Sequence, residues 1–226
     1  MHFRRAITGF LFLTLLISCG SAAQTGSSSS SSAKHAKPSS AHSAGALDDG
    51  WVTNGNYKNN TLGLSCKIPD GWVLRTDEMN QHDQQKDAAS PSSAKAETGS
   101  NAEARVLLAA FSRPPEARAE DVNSSILIAA ESASSYPGLK EAAQYFGPLT
   151  EVAKAQGFTV DEEPYEIALG TKTLVRSDFH KDVGTRVMHQ STLAMLAHGY
   201  AISITVIGGT DDEVEDLIDG LNFTGK

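Results

Sequence analysis

The sequence predicts an α+β domain in which helices pack on an antiparallel β-sheet. Apolar and polar residues alternate in several stretches, as they do in half-buried strands. Gly184 and Gly199 each separate two such stretches, which indicates antiparallel hairpins. Apolar residues recur at helical spacing after Leu139 and again after Thr210, and amphipathic helices of this kind need another layer to cover.

The first 18 residues predict a lipoprotein signal peptide. A cationic pair at residues 4 and 5 precedes an apolar run over residues 9–17, which is short for a membrane span. The letters LISC follow, ending at Cys19, and they resemble the lipobox of bacterial lipoproteins. In that motif the cysteine thiol takes a diacylglycerol and becomes the first mature residue, so we expect lipidation of Cys19. The alternative is an ordinary secretory leader cut near Ala22.

Residues 19–50 carry the lipidated cysteine and a Ser/Ala-rich stretch that predicts a flexible tether. Such a composition buries too little apolar surface to offset the entropy of ordering. Its root-mean-square reach is about 30 Å. Residues 51–226 are predicted to form a single globular domain, interrupted by a polar, disordered insertion at about residues 78–103.

Composition excludes several classes of protein. The net charge is −8, and it becomes −10 once Arg4 and Arg5 leave with the leader, which argues against nucleic acid as a partner. Cys19 and Cys66 are the only cysteines, too few for a disulfide-rich scaffold or a cysteine-based zinc site. No phosphate-binding glycine loop or dinucleotide fingerprint is present, and no cofactor is predicted.

Alternation predicts three strands in the first half of the domain. They cover residues 62–68, 104–112 and 124–131. Helical spacing predicts a helix over Leu139–Gln156, which Gly147 and Pro148 should kink or split. A capping box at Thr210 and Glu213 begins the last helix.

The long stretches 171–182 and 185–196 predict a hairpin whose two-residue turn is Val183-Gly184. This register places Asp178 opposite His189 and leaves Val175 and Phe179 on the apolar face. A three-residue loop, Ala197-His198-Gly199, then leads to the strand 200–206. In this arrangement Ile202 and Ile204 share the face of Ala194 and Leu196.

Several segments together carry a resemblance to a known domain family. They are Tyr57, Leu62–Leu64, Ile68–Trp72, Gly170–Arg176, His189–Ala201 and the last helix ending at Phe223. An aromatic residue, a small hairpin and a strand ending in Pro-x-Gly-Trp open the domains of the PsbP-like family and its bacterial relatives, which these segments resemble. The resemblance covers residues 54–223 apart from the insertion, and it implies an α-β-α sandwich. Its markers are structural rather than catalytic, and members typically act as non-enzymatic docking proteins or are uncharacterised lipoproteins.

The predicted hairpin gathers Asp178, His180, Asp182 and His189 on one face. Imidazoles and carboxylates are ligands for zinc, so Asp178, His180 and His189 are candidate metal ligands. A histidine and an aspartate of this face could instead form an acid–base pair. The alternative is a solvated face with a cross-strand ion pair. Ser191 completes a possible triad with His189 and Asp178, but no nucleophile elbow surrounds it.

Cys66 and three aromatic residues are the other candidates. Cys66 alternates with leucines, which favours a buried, inert thiol over a nucleophile. Trp51, Tyr57 and Trp72 are candidate ligand contacts. Trp72 follows a Pro-Asp-Gly turn and is predicted to plug the core, whereas Trp51 lies before the periodic region and is predicted at the surface.

These observations predict a lipoprotein of the bacterial cell envelope, anchored to a membrane and facing the periplasm or exterior. Its PsbP-like domain is expected to act without catalysis, in protein binding or scaffolding. The expected partners are the membrane, through the lipid anchor, and a protein. The alternatives are a carrier for a small or metal-containing ligand and, more weakly, a hydrolase that uses Asp178 and His189.

Overall fold

The computed structural model describes residues 47–81, 104–117, 119 and 121–225. The predicted signal peptide, Cys19 and most of the tether lie outside the described residues, as do residues 82–103 of the predicted insertion. The predicted tether ends earlier than expected, and the predicted insertion begins later than expected. Leu47 is already buried in the core, and residues 78–81 belong to a helix rather than to the insertion.

Twelve strands form two antiparallel sheets in the part of the chain that the structure describes. The strands are β1 Trp51–Thr53, β2 Asn56–Asn59, β3 Leu64–Lys67, β4 Val73–Leu74, β5 Arg105–Phe111, β6 Ser125–Ser132, β7 Thr159–Val160, β8 Tyr165–Leu169, β9 Lys172–Val183, β10 Arg186–Ala197, β11 Tyr200–Gly208 and β12 Leu221–Phe223. The helices are α1, residues 76–81, α2, Ala142–Ala155, and α3, Asp211–Asp219, with a 3₁₀ turn at Ala133–Ser135.

The large sheet has the order β4-β5-β6-β11-β10-β9-β7, and β8 pairs with a further stretch of β9. The small sheet has the order β1-β2-β3-β12. All strand pairs are antiparallel, and helices pack on the sheets. The predicted α+β class is therefore confirmed.

The main core lies between one face of the large sheet and the layer formed by the small sheet and α3. Ile128 and Ile204 of the large sheet belong to one cluster with Tyr57 and Phe223 of the small sheet and Leu217 of α3. Helix α2 covers part of the opposite face. Each large side chain buried in this way contributes about 1.5–3 kcal/mol, so burial on both faces holds the layers together.

The β9–β10 hairpin has a different register from the predicted one. Its turn residues are Gly184 and Thr185, so Asp178 lies opposite Ser191, and His189 lies opposite His180. Gly184 has φ +65° and takes the first central position of the turn, where type II′ turns prefer glycine. The prediction placed the glycine second. The error shifts the pairing by two residues, and the side chains predicted on each face therefore stay together.

The β10–β11 loop is also shorter than predicted, and here the error does change faces. Only His198 and Gly199 form the turn, and both have positive φ, as type I′ turns require. Ile202 consequently pairs with Met195, and Ile204 pairs with Leu193. The predicted grouping of these isoleucines with Ala194 and Leu196 is wrong, because removing one loop residue moves them to the other side of the sheet.

Of the two outcomes predicted for Gly147 and Pro148, a kink or a split, the split does not occur, because helix α2 runs without interruption through Pro148. Proline removes one backbone hydrogen bond. Burial of Tyr145, Phe146 and Leu149 around it outweighs that loss. Across the described residues, none of the helices has the length and apolar character that crossing a bilayer requires.

Candidate binding cleft and the polar hairpin face

The polar face of the β9–β10 hairpin is held together by an arginine. Arg176 Nε donates to Asp178 Oδ1 at 2.9 Å, and Arg176 Nη1 donates to Glu215 Oε2 of α3 at 3.1 Å. The Tyr165 hydroxyl donates to the other Asp178 oxygen at 2.8 Å. Burial alone lowers the pKa of Arg176, but its hydrogen bonds to Glu215 and Asp178 outweigh burial and raise that pKa overall. Both oxygens of Asp178 are therefore engaged within the protein.

The two histidines of this face each contact a different carboxylate. His189 Nδ1 lies 2.6 Å from Asp211 Oδ1 at the start of α3, and His180 Nδ1 contacts Asp161. The structure does not bring Asp178, His180 and His189 together around one point. Within residues 47–81 and the described part of 104–225, there is no group of three or more His, Cys, Asp or Glu side chains that could hold a metal ion.

Ser191 is fully buried, and its hydroxyl has no hydrogen-bond partner among the described residues. A nucleophile has to reach its substrate, which a side chain with no exposed surface does not. The possible triad is also incomplete, because Asp178 bonds Arg176 and Tyr165 rather than His189. The geometry therefore gives no support to the hydrolase alternative.

Cys66 has no exposed surface and belongs to the main core. Burial raises the pKa of its thiol to about 12, which keeps it protonated near neutral pH. The predicted burial of this thiol is confirmed.

The sequence analysis missed a buried carboxylate on the α2 side of the large sheet. Glu131 of β6 is 7% exposed and accepts hydrogen bonds from Tyr145 at 2.7 Å and from Tyr136. The two rings meet edge to face, with centroids 5.1 Å apart. Burial, reinforced by Glu131, raises the pKa of both tyrosines. The available signal was a glutamate at the inward position of an apolar strand.

An open cleft of about 680 Å³ lies where the two sheets meet. It is bordered by β1 and by the segment that joins β4 to α1, and β1 and β4 are the end strands of their sheets. Its rim, which we define as Trp51, Val52 and Leu74, is apolar. These side chains are 45%, 38% and 44% exposed. The predicted surface position of Trp51 is confirmed, and Leu74 was missed.

The two arginines of the cleft are already paired within the protein. Arg75 lies 2.5 Å from Glu78 and 2.8 Å from Glu116. Arg105 contacts Asp49 and donates to the Leu47 carbonyl at 3.1 Å. Among the described residues, the rim side chains are thus the large apolar groups of this cleft that remain exposed, and the exposed carboxylate of Asp77 lies beside them.

The other two aromatic candidates belong to the interior. Tyr57 lies under the cleft, is 1% exposed, and donates to the Asp49 carbonyl at 3.1 Å. The alternation of β2 turns Tyr57 inward, so it is not an exposed contact, although it does line the cleft. Trp72 is half-buried and packs against the main core, as predicted.

No family model matches the chain, and no curated protein matches it significantly. Solved structures match at low identity. Cyanobacterial PsbP from Synechocystis is 13% identical over 75% of this chain and 91% of that one, with a TM-score of 0.43. LpqN of Mycobacterium tuberculosis, involved in cell envelope biogenesis, is 15% identical over 72% and 83%, with a TM-score of 0.34. A Pseudomonas aeruginosa protein of unknown function is 16% identical over 55% and 78%, with a TM-score of 0.32.

The family that the sequence resembles is thus represented among these similar structures. At such identities and TM-scores, the matches carry no information on ligand, activity or partner.

Proposed function

We propose that this protein is a lipid-anchored component of a bacterial cell envelope, and that its domain binds a protein partner through the rim of the cleft without catalysing a reaction. One observation carries the proposal. Five large hydrophobic side chains are exposed in the described part of the chain, and three of them, Trp51, Val52 and Leu74, border the same cleft.

The chemistry of the rim favours contact with a protein. Burying an exposed apolar side chain gains about 25 cal/mol per Å², and tryptophan is enriched among the residues that dominate interface energies. The edges of β1 and β4 border the same space, and the free backbone groups of an edge strand are available to pair with another chain. A partner would therefore find apolar anchors and hydrogen-bonding groups side by side.

The tether joins the domain beside this cleft. Asp49 and Gly50 line it, and the Leu47 carbonyl accepts a hydrogen bond from Arg105 of the same cleft. About 28 residues separate Cys19 from Leu47, which limits their separation to about 100 Å. With Cys19 lipidated, the rim would remain within that distance of the bilayer and of proteins embedded in it.

The potentially reactive side chains are not available for an alternative role in binding or catalysis. Asp178 and His189 are engaged by other side chains, and Ser191 and Cys66 are buried. We therefore assign the binding role to the exposed apolar rim of the cleft.

Site-specific photocrosslinking in cells tests the role of the rim. A photoreactive residue replaces Leu74 in one variant and Val187 of the hairpin in the matched control. These side chains have comparable exposure, 44% and 37%. We expect discrete crosslinked protein bands from the variant at position 74. The variant at position 187 should give none of these bands. Identical band patterns, or no bands from position 74, would contradict the proposal.

Cell fractionation tests the anchor separately. Cys19→Ala should move the protein from the membrane to the soluble fraction, because no thiol remains there to acylate. Cys66→Ala is the control and should stay in the membrane fraction. Retention of the Cys19→Ala protein in the membrane would refute lipid anchoring at this cysteine.

A further inference from the structure

The outer face of the small sheet carries an unusual row of side chains. Trp51, Lys58, Ser65 and Asn222 lie directly opposite one another across its four strands. Their neighbours along β2, β3 and β12 are buried in the core, so alternation directs this row outward. The row therefore forms a surface facing away from the large sheet.

A second row continues the same surface. Thr53, Asn56 and Lys67 lie opposite one another beside the first row. Between the rows is a depression of about 430 Å³, a size within the roughly 300–1,000 Å³ typical of small-ligand sites. Its lining residues are Trp51, Thr53, Asn54, Asn56, Lys58 and Ser65.

The charge of this surface is opposite to that of the whole protein. Its seven outward residues include two lysines and no carboxylate, although the chain has a net charge of −8. Neither Lys58 nor Lys67 takes part in an ion pair with another described residue. The surface is therefore complementary to an anionic ligand.

We propose that the outer face of the small sheet binds an acidic saccharide. The exposed ring of Trp51 offers an apolar plane that matches the C–H face of a sugar ring. The hydroxyl of Thr53 and the amide of Asn54 line the same depression, and such groups both donate and accept hydrogen bonds, as sugar hydroxyls require. Asn56 and Ser65 donate to the Asn54 and Asn222 carbonyls, and their side-chain oxygens can accept from a sugar. Lys58, directly opposite Trp51, supplies a charge-assisted hydrogen bond to a carboxylate on the sugar.

The composition of this face favours a saccharide over a lipid surface. Membrane-binding surfaces present several apolar side chains together. Trp51 is the single large apolar side chain among the seven outward residues, and the others carry hydroxyl, amide or ammonium groups. A ligand rich in hydroxyl groups satisfies this set, whereas hydrocarbon does not.

This inference does not depend on protein binding at the cleft. The saccharide surface uses Lys58 and Asn56 on the outside of the small sheet, whereas the cleft uses Val52 and Leu74 on the other side. Trp51 borders both. Variants of Lys58 and of Leu74 therefore separate the two proposals.

Binding to full-length protein purified in detergent tests the proposal. The probe is soluble cell-wall glycan from which the peptides have been removed, so that it consists of alternating N-acetylglucosamine and N-acetylmuramic acid whose lactyl groups carry free carboxylates. The neutral comparison is N-acetylglucosamine oligomers of equal length. We expect saturable binding of the acidic glycan by calorimetry, at least tenfold tighter than of the neutral oligomers. In the Trp72→Phe variant, Trp51 is the only tryptophan. Its fluorescence should change with glycan concentration and saturate over the same range as the calorimetric signal.

Variants locate the site. Trp51→Ala and Lys58→Glu should each weaken glycan binding at least tenfold, whereas Lys154→Glu, which changes an exposed lysine of α2, should leave it unchanged. Leu74→Ser should also leave it unchanged.

Four results would overturn the inference. The first is no saturable binding of the acidic glycan, and the second is equal affinity for the neutral oligomers. The third is a loss of glycan affinity in Lys154→Glu or Leu74→Ser as large as the loss in Trp51→Ala or Lys58→Glu. The fourth is Trp51-dependent binding to phosphatidylglycerol vesicles in place of glycan.

Discussion

The hairpin face and the cleft rim differ in how their side chains are used. The hairpin face carries the charged side chains that would be expected in a catalytic site, namely Arg176, Asp178 and His189. Each of them, however, already bonds another group of the protein. Trp51 and Leu74 of the rim are apolar, and nearly half of each side chain faces solvent. The proposed recognition role therefore rests on the groups that remain available after folding rather than on the most reactive groups.

The largest expected effect comes from breaking the hairpin network. Arg176→Met should lower the free energy of unfolding by about 2–3 kcal/mol, because Asp178 loses its cationic partner. The cost stays below the 3–5 kcal/mol of a fully buried pair, since the Asp178 side chain is 21% exposed.

Urea unfolding measures this effect, and Arg186→Met is the control. Arg186 is exposed on the neighbouring strand, and its replacement should cost less than about 0.5 kcal/mol. Equal losses in the two variants would mean that the hairpin face is not a structural network.

The core beneath the rim should be sensitive to alkali. Burial raises the pKa of the Cys66 thiol to about 12, from an ordinary value of 9.0. The folded state then holds this proton to a higher pH than the unfolded state does. The contribution is complete below about pH 9 and is lost as pH rises from there toward 12.

Raising the pH from about 8 to about 10.5 should therefore cost about 2 kcal/mol of unfolding free energy through Cys66. Cys66→Ala should show an alkaline loss smaller by this amount. An identical pH dependence in the two proteins would contradict a dry core under the cleft. Tyr57, whose pKa burial raises to about 12, adds to the residual slope at higher pH.

Ser191→Ala gives a smaller effect, of opposite sign. Its buried hydroxyl lacks a partner among the described residues, so its removal should leave stability unchanged or raise it by up to about 1 kcal/mol. Ser177 is the control, because its equally buried hydroxyl donates to the Glu162 carbonyl at 2.8 Å. Thermal unfolding should show a loss of about 1 kcal/mol for Ser177→Ala. Matching losses would contradict an unpartnered Ser191.

Leu74→Ser should have the smallest effect on stability, within about 0.5 kcal/mol, because the side chain is already 44% exposed. The same substitution should sharply reduce partner crosslinking from a photoreactive residue at Val52. Loss of crosslinking together with a large loss of stability would mean that Leu74 acts in the fold rather than in recognition.

Local patterns predicted the elements well. The strand Arg105–Phe111 follows from its alternation, and α3 follows from the Thr210 cap, whose side chain accepts from the Glu213 amide. Turn geometry was harder, because a two-residue and a three-residue loop at Gly199 suit nearly the same sequence. The choice between them sets the face of Ile202 and Ile204.

The site was less predictable than the elements. The cleft joins residues 49–52 to residues 74–80 and 104–107, and their proximity depends on the pairing of both sheets. Single-sequence alternation does not specify which strands become end strands. Trp51 was predicted at the surface because it precedes the periodic region. Leu74 has no such signal, since leucine at a strand end is usually part of the core.

Footprinting of the protein in its native envelope tests the central claim most directly. Carbene labelling would be compared between intact envelopes and purified protein at Val52 and Leu74 of the rim and at Val183 and Val187 of the hairpin. All four side chains are at least 37% exposed. If a partner occupies the cleft, labelling of Val52 and Leu74 falls in the envelope while that of Val183 and Val187 does not. Unchanged labelling at the rim, or protection confined to the hairpin, would contradict the account.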